Sequence, residues 1–447
     1  MGLRSLARSR LGTGGRGVLS IATPTVGGQL LLLVTAPVLA RLYGPADFGV
    51  FTVVATLATM LGAVAALRFE QAVPLPAREH DAYGLVALGL GAALLTGVAG
   101  TVVVAAAGDA VAAAFGQPRL RSWLWAVPPT AAAMGALLVL NQLAIRHRRY
   151  GAIGRRNLLQ SVSMLLTQLG TGAAGLRPGG LVLGLGIGQV AGTLMLLPGA
   201  RLGDPGVRRA RGWRQLCDTA HRYRRFPLVL APSGLLNALG LQLPVLLIAL
   251  WYGDAVAGWL GLAQRVLAAP ATLLGAAVAQ VYLGEFARAA RGDVERARSI
   301  FLRASRKLAL IAVPAAAVVI VAAPSAFTVL FGAAWANGGA YAQALAVGTA
   351  AHFVASPLSQ TVVVLGRPGR QFAWDAGRLL LVTGAVLGTA LAGAPARYAV
   401  WAFGVAAAVA YAVSWLVSLR TVTDAARAAG RERDAEPRRL VRQGEPG

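Results

Sequence analysis

Nine runs of this chain carry no Asp, Glu, Lys or Arg at all: 17–40, 48–67, 82–108, 122–145, 157–176, 178–200, 226–253, 308–366 and 398–419. Two more, 255–284 and 371–393, are broken only by Arg265 and by the Asp375/Arg378 pair. A helix needs roughly 20 apolar residues to cross the hydrocarbon core of a bilayer. Most runs therefore make one span. The longest, 308–366, makes two, turned at Phe331-Gly332-Ala333-Ala334-Trp335-Ala336-Asn337-Gly338-Gly339. The expected fold is an all-α polytopic membrane protein with twelve transmembrane helices. A soluble protein has no reason to repeat charge-free helices at this period over some 400 residues.

The cations set the orientation. Of 42 Lys and Arg, 35 fall in the termini and in every second gap, five in the intervening loops (Arg41, Arg119, Arg121, Arg177, Arg397) and two within spans. Positive charge is retained on the cytoplasmic side, so both termini are expected inside. The net charge of +25 then reflects topology and attraction to anionic lipid headgroups, and nucleic acid is not an expected partner. All but one of the cations are Arg, the exception being Lys307, in a chain rich in Ala, Gly and Val. This matches the codon bias of a GC-rich bacterial genome. The single Cys217 excludes an internal disulfide framework. The basic start leads into 24 apolar residues, too long for the apolar core of a cleavable signal.

Four landmarks recur in order. Tyr43-Gly44 closes span 1 and Tyr252-Gly253 closes span 7; Phe115-Gly116 and Phe331-Gly332 separate spans 3–4 and 9–10. Gln142 in span 4 matches Gln360 in span 10, and Pro178 matches Pro395. Six spans separate the copies, so the two copies have the same orientation: a parallel repeat about an axis along the membrane normal. The expected organisation is an N-lobe over 1–204 (spans 1–6), a basic cytoplasmic linker over 205–226, a C-lobe over 227–419 (spans 7–12) and a basic, disordered cytoplasmic tail over 420–447. Within the linker, Trp213, Leu216, Ala220 and Tyr223 recur at helical spacing among arginines that include Arg208, Arg209 and Arg211. That pattern suits an amphipathic helix on the inner leaflet; a disordered basic linker is the plainer alternative.

Ionisable groups at membrane depth are costly and mark pathways or pairs. Arg265 sits near the middle of span 8 with no acidic residue at i±3 or i±4. A guanidinium grips phosphate through a fixed fork of donors, so a cavity role is expected, against snorkelling or bonding to a neighbouring helix's carbonyls. Asp375 and Arg378 are an i, i+3 pair that could neutralise each other or serve in gating or ion coupling. Arg68 and Glu70, at the end of span 2, could gate the inner mouth or cap an interface. Gln264, Gln242, Asn237, Gln142 and Gln360 add polar groups suited to glycan hydroxyls, although interhelical hydrogen bonds explain many such residues. No phosphate-binding lysine loop of the ATPase type and no metal-ligand spacing occurs, and no cofactor or metal is expected.

The stretch Leu42-Tyr43-Gly44-Pro45-Ala46-Asp47-Phe48-Gly49-Val50-Phe51 resembles the first-loop signature of the bacterial polysaccharide biosynthesis and O-antigen flippase family. Leu67-Arg68-Phe69-Glu70-Gln71-Ala72-Val73-Pro74-Leu75-Pro76 resembles the stretch that follows the family's second helix. Arg225-Phe226-Pro227, Leu241-Gln242-Leu243-Pro244 and Gly258-Trp259-Leu260-Gly261-Leu262-Ala263-Gln264-Arg265-Val266 are similar to the family's helices 7 and 8. The similarity runs from about residue 15 to about 420. The family lies in the multidrug/oligosaccharidyl-lipid/polysaccharide exporter superfamily, whose members have two six-helix lobes.

The resemblance implies a flippase that moves an undecaprenyl-pyrophosphate-linked oligosaccharide across the bacterial inner membrane by alternating access, for O-antigen or exopolysaccharide assembly. Arg265 is implied to hold the pyrophosphate, as cavity arginines do in related lipid-carrier flippases. Partners would be the polyprenyl-linked glycan, membrane lipids, and a polymerase or export machinery. Two rivals remain. A cation-coupled drug exporter would want acidic residues deep in its cavity. A membrane glycosyltransferase or polymerase would want a sizeable outer loop, and the longest here is about thirteen residues (109–121).

Overall fold

The computed structural model describes residues 13–202 and 212–443. Among them the chain is helical throughout, with no strand. Lipid offers backbone amides no hydrogen-bonding partner, so an apolar segment satisfies its N–H and C=O groups within its own helix. The helices are α1 (Thr13–Leu42), α2 (Pro45–Gly62), α3 (Phe69–Ala72), α4 (Glu79–Ala114), α5 (Pro118–Leu124), α6 (Val127–Arg146), α7 (Tyr150–Ala173) and α8 (Gly179–Leu196). There follow α9 (Trp213–Arg222), α10 (Ala231–Gly292), α11 (Val294–Phe331), α12 (Ala336–Val364), α13 (Pro368–Leu391) and α14 (Ala396–Gln443). The 62-residue α10 is broken at Gly253, whose φ of 84° lies in the left-handed region open to glycine.

Eight helical segments among the described residues are long and apolar enough to cross a membrane: Thr23–Leu42, Pro45–Gly62, Glu79–Ala114, Val127–Arg146, Gly179–Ala200, Phe226–Ala269, Val294–Phe331 and Ala396–Ala428. The lipid-facing character shows in what they leave uncovered. Leu94, Leu95, Val98, Val102 and Val103 on α4, and Val313, Val318, Val321 and Val329 on α11, are all exposed. Apolar stripes of that extent are foreign to soluble surfaces. The protein is a multi-pass membrane protein.

Two compact units partition the chain: Met1–Leu262 with Phe327–Ala336, and Ala263–Ala326 with Asn337–Gly447. In the first, one core gathers Phe69, Leu85, Val86, Leu137, Leu140 and Leu143 from α3, α4 and α6. A second gathers Val50, Val53 and Val54 of α2 with Leu246 and Ala249 of α10. There α2 and α10 touch backbone to backbone: a Cβ on Gly258 would collide with the Pro45 carbonyl, and one on Gly49 with Asp254. The turn expected at 331–339 is a tight one. Gly332 (φ 100°) leads into a short 3₁₀ turn at Ala333–Trp335. The buried Trp335 donates its indole N–H to the Ala40 carbonyl at 2.9 Å and meets Phe48 edge-on at 5.0 Å. Phe115-Gly116, the matching landmark, likewise ends a helix on a left-handed glycine.

In the second unit the core is aromatic, with Tyr282, Phe286, Phe301 and Phe353 packed beside Leu358 and Val422. Val422 lies beyond the last expected span. Where composition suggested a disordered tail, α14 continues to Gln443. Its first turns past Leu419 are packed, with Thr421, Val422 and Ala426 buried. Arg370 donates to Thr421 Oγ1 at 2.9 Å and pairs with Asp424 at 3.5 Å. The Ala- and Arg-rich sequence has high helix propensity, which suffices once the first turns are anchored.

Of the expected linker, 205–211 lies outside the described residues, Arg208, Arg209 and Arg211 included. The part that follows is α9. Its Thr219 packs under Gly84 of α4, and Arg222 pairs with Asp81 at 3.3 Å.

Candidate functional site

Each unit places ionisable side chains where apolar helices leave little water. In the first unit the chain leaves α2 through two consecutive non-glycine residues in the left-handed region, Leu67 (φ 51°) and Arg68 (φ 61°). Such conformations are strained and persist where the surroundings over-determine them. Here the strain brings Arg68 beside Glu70, with Nη1 to Oε1 at 3.7 Å and a carboxylate only 4% exposed. The guanidinium lies against α10 at Gly234, where any Cβ would collide with it. Arg68 Nε and Glu70 Oε2 are buried without a hydrogen-bond partner. Burial pushes the Glu70 carboxyl up from its ordinary value, partly offset by its backbone hydrogen bond and by Arg68.

The segment after this pair is held by Arg146, at the end of α6. Its Nη1 donates to the carbonyls of Val73, Pro74 and Pro76 at 3.3, 3.3 and 2.7 Å, and its Nε to Glu79 at 3.3 Å. His147 reaches the same carboxylate at 3.3 Å. Sequence reasoning counted Arg146 only as one more inner-loop cation.

Arg156 was counted the same way. It lies in the second turn of α7, and its Nη1 and Nη2 donate to Gln160 Oε1 at 2.9 Å and to Asn141 Oδ1 of α6 at 3.0 Å. Asn157, next to it, donates to Thr25 of α1 at 2.6 Å. The available signal was the run Arg156, Asn157, Gln160, Ser161, which puts polar groups on successive turns of one helix.

In the second unit Arg265 has Nη2 buried without a hydrogen-bond partner. Among the described residues no carboxylate lies within ion-pair distance of it. Asp375 and Arg378 do pair, at 3.5 Å, both nearly inaccessible. Around them Arg378 lies over the Trp374 ring at 4.8 Å and donates to the Tyr411 hydroxyl at 3.4 Å. Gln371 donates to Asp375 at 3.4 Å. His352 of α12 meets Tyr411 edge-on at 4.6 Å, and its Nδ1 is buried without a partner. The cluster thus joins α12, α13 and α14; His352 stands out in the sequence as a polar group in its span, but only Asp375 and Arg378 are linked there by spacing.

The remaining candidates are scattered. Gln142, Asn237 and Gln242 are half-buried in the first unit, and Gln264 is half-buried beside Arg265 in the second. Gln360 is exposed on α12, while the next residue, Thr361, is fully buried. Among the described residues no group of three or more His, Cys, Asp or Glu could hold a metal ion.

A family model described as polysaccharide biosynthesis protein matches residues 38–338. The chain belongs to this polysaccharide biosynthesis family. The match takes in the Arg68–Glu70 turn, Arg156 and Arg265, and it stops short of the Asp375–Arg378 cluster. No curated protein matches the chain significantly.

Solved structures extend the likeness over nearly its full length. An inward-facing multidrug resistance MATE transporter of the MOP superfamily is 16% identical, covers 92% of this chain and 99% of its own, and has a TM-score of 0.69. The lipid II flippase MurJ, in an inward closed conformation, is 12% identical, with 91% and 89% covered and a TM-score of 0.69. A MOP superfamily transporter from Pyrococcus furiosus, described as having a binding pocket of reverse polarity, is 14% identical, with 92% and 96% covered and a TM-score of 0.61. At such identities the likeness establishes the fold. This family member has the fold of the MOP superfamily transporters.

Proposed function

We propose that the protein is a flippase for a polyprenyl-pyrophosphate-linked oligosaccharide in the bacterial inner membrane, serving O-antigen or exopolysaccharide assembly. Membership of a polysaccharide biosynthesis family names the process. A fold shared with MATE transporters and a lipid II flippase suits movement of a substrate rather than chemistry on it. The observation that carries the substrate class is Arg265: a cation in an apolar helix, with Nη2 buried and unpaired, in a chain of this family. A pyrophosphate supplies both the charge and the acceptors that such a group lacks.

In this reading the chain crosses the membrane twelve times with both termini inside. The halves 1–204 and 227–419 act as lobes that expose a shared cavity to either side in turn. Arg265 takes the pyrophosphate, with Gln264, Gln242, Asn237, Gln142 and Gln360 as candidate glycan contacts. The polyprenyl tail stays in lipid. Arg68–Glu70 and Asp375–Arg378 serve as gate or ion-coupling groups, since they are buried carboxylates that can change protonation.

Reconstitution tests the reading. Purified protein goes into liposomes carrying a short-chain polyprenyl-pyrophosphate oligosaccharide, and an external glycosidase scores the accessible fraction. Empty liposomes should expose about half of the lipid. Proteoliposomes should expose nearly all of it, and a fraction that stays at half would count against a flippase.

A further inference from the structure

The Arg156 cluster has a chemical bias that neither of the carboxylate pairs shares. Guanidinium is a donor only, so Asn141 and Gln160 turn their carboxamide oxygens toward it. That leaves their NH₂ groups as the outward valences, and among the described residues neither makes a hydrogen bond. Arg156 Nε is buried and unpartnered as well. Among the described residues no carboxylate lies within ion-pair distance of Arg156. Space beside it is kept by Gly192 of α8, where a Cβ would stand only 3.2 Å from Arg156 Cδ. The result is a half-buried, uncompensated positive charge whose free hydrogen-bonding positions are all N–H.

We propose that Arg156, Asn141 and Gln160 form a phosphate-binding site in the first unit, which takes the phosphate or diphosphate of a lipid headgroup. Phosphate oxygens are acceptors only and carry the missing charge, so they complete every open valence at once. Arg156 lies six residues into α7, roughly 9 Å along the helix from its start, a depth that a headgroup reaches from the membrane surface. The site rests on the flippase reading and deepens it, by giving the lipid's phosphates a contact within the first unit.

The test uses the full-length protein in detergent and farnesyl diphosphate as the probe, with inorganic pyrophosphate and farnesol as separate arms, read by native mass spectrometry. Wild type should bind farnesyl diphosphate and not farnesol. Inorganic pyrophosphate competing equally would identify a site for the phosphates alone; failure to compete would make the isoprenoid part of the recognition. Arg156→Gln should weaken binding about tenfold or more, as loss of one charge-assisted contact does, and Arg156→Lys should restore part of it. Asn141→Asp is the companion variant, since it gives the guanidinium a counter-ion at the position of the Asn141 oxygen. It should remove binding while leaving the melting temperature unchanged or higher. Unaltered affinity in both Arg156→Gln and Asn141→Asp overturns the site and leaves the flippase reading standing. Wild type that binds no farnesyl diphosphate overturns both.

Discussion

In each unit an arginine that faces a carboxylate can be set beside one that, among the described residues, does not. In the first unit Arg68 lies 3.7 Å from Glu70, while Arg156 has only amide oxygens. In the second, Arg378 lies 3.5 Å from Asp375, while Arg265 keeps Nη2 unpartnered. A charge withdrawn from water costs several kcal/mol (on the order of) unless a partner offsets it. The paired arginines therefore have their charge offset within the protein, although among the described residues Arg68 Nε and Arg378 Nε still lack a hydrogen-bond partner. The unpaired ones hold a charge that an anion would stabilise, and a protein handling an anionic lipid has a use for that.

The comparison breaks most sharply at Asp375. Asp375→Asn strands Arg378 and should destabilise the protein by about 3–5 kcal/mol, whereas removing both charges together should cost far less. Melting in detergent checks this, and a double variant as unstable as Asp375→Asn would mean that the pair is more than self-neutralising. Arg265→Ala inverts the expectation: nothing is stranded, so stability should hold while transport in cells falls about tenfold or more. Full transport at normal protein level would remove Arg265 from the substrate path.

Gly234→Ala probes the packing of the first pair. The added methyl meets the Arg68 guanidinium, and overpacking of this kind costs roughly 1–3 kcal/mol; an unchanged melting temperature would show that Arg68 moves aside freely. The smallest effect concerns pH. Because burial raises the Glu70 pKa, the stability that Glu70 contributes is complete below its ordinary value and is lost as pH rises through the raised one. Glu70→Gln, neutral throughout, should flatten that part of the melting profile between acidic and neutral pH. An identical slope in both proteins would mean that Glu70 does not titrate there.

Much of the fold was written in the charge-free runs. They located the apolar helices, the turn at Gly332 and the break at Gly253, because lipid excludes charge and rewards internally bonded backbone. The same rule hid Arg156. A span drawn by its lack of charge starts after its last arginine, so 157–176 began one residue past the group that matters, although α7 starts at Tyr150. Arg265 escaped because apolar residues flank it on both sides. The partners His352 and Tyr411 of the Asp375–Arg378 pair lie on other helices, and no spacing in the sequence joins them. The helical tail was missed for a related reason, since Arg370 anchors it from α13.

The central claim is movement of the lipid-linked glycan from the inner to the outer leaflet. It is tested most directly by depleting the protein in cells, making spheroplasts, and labelling the lipid-linked units from outside with an impermeant lectin or glycosidase while mass spectrometry counts them. The account predicts that units accumulate and are shielded from the outside. Units that accumulate within reach of the label would place the block after translocation and contradict it.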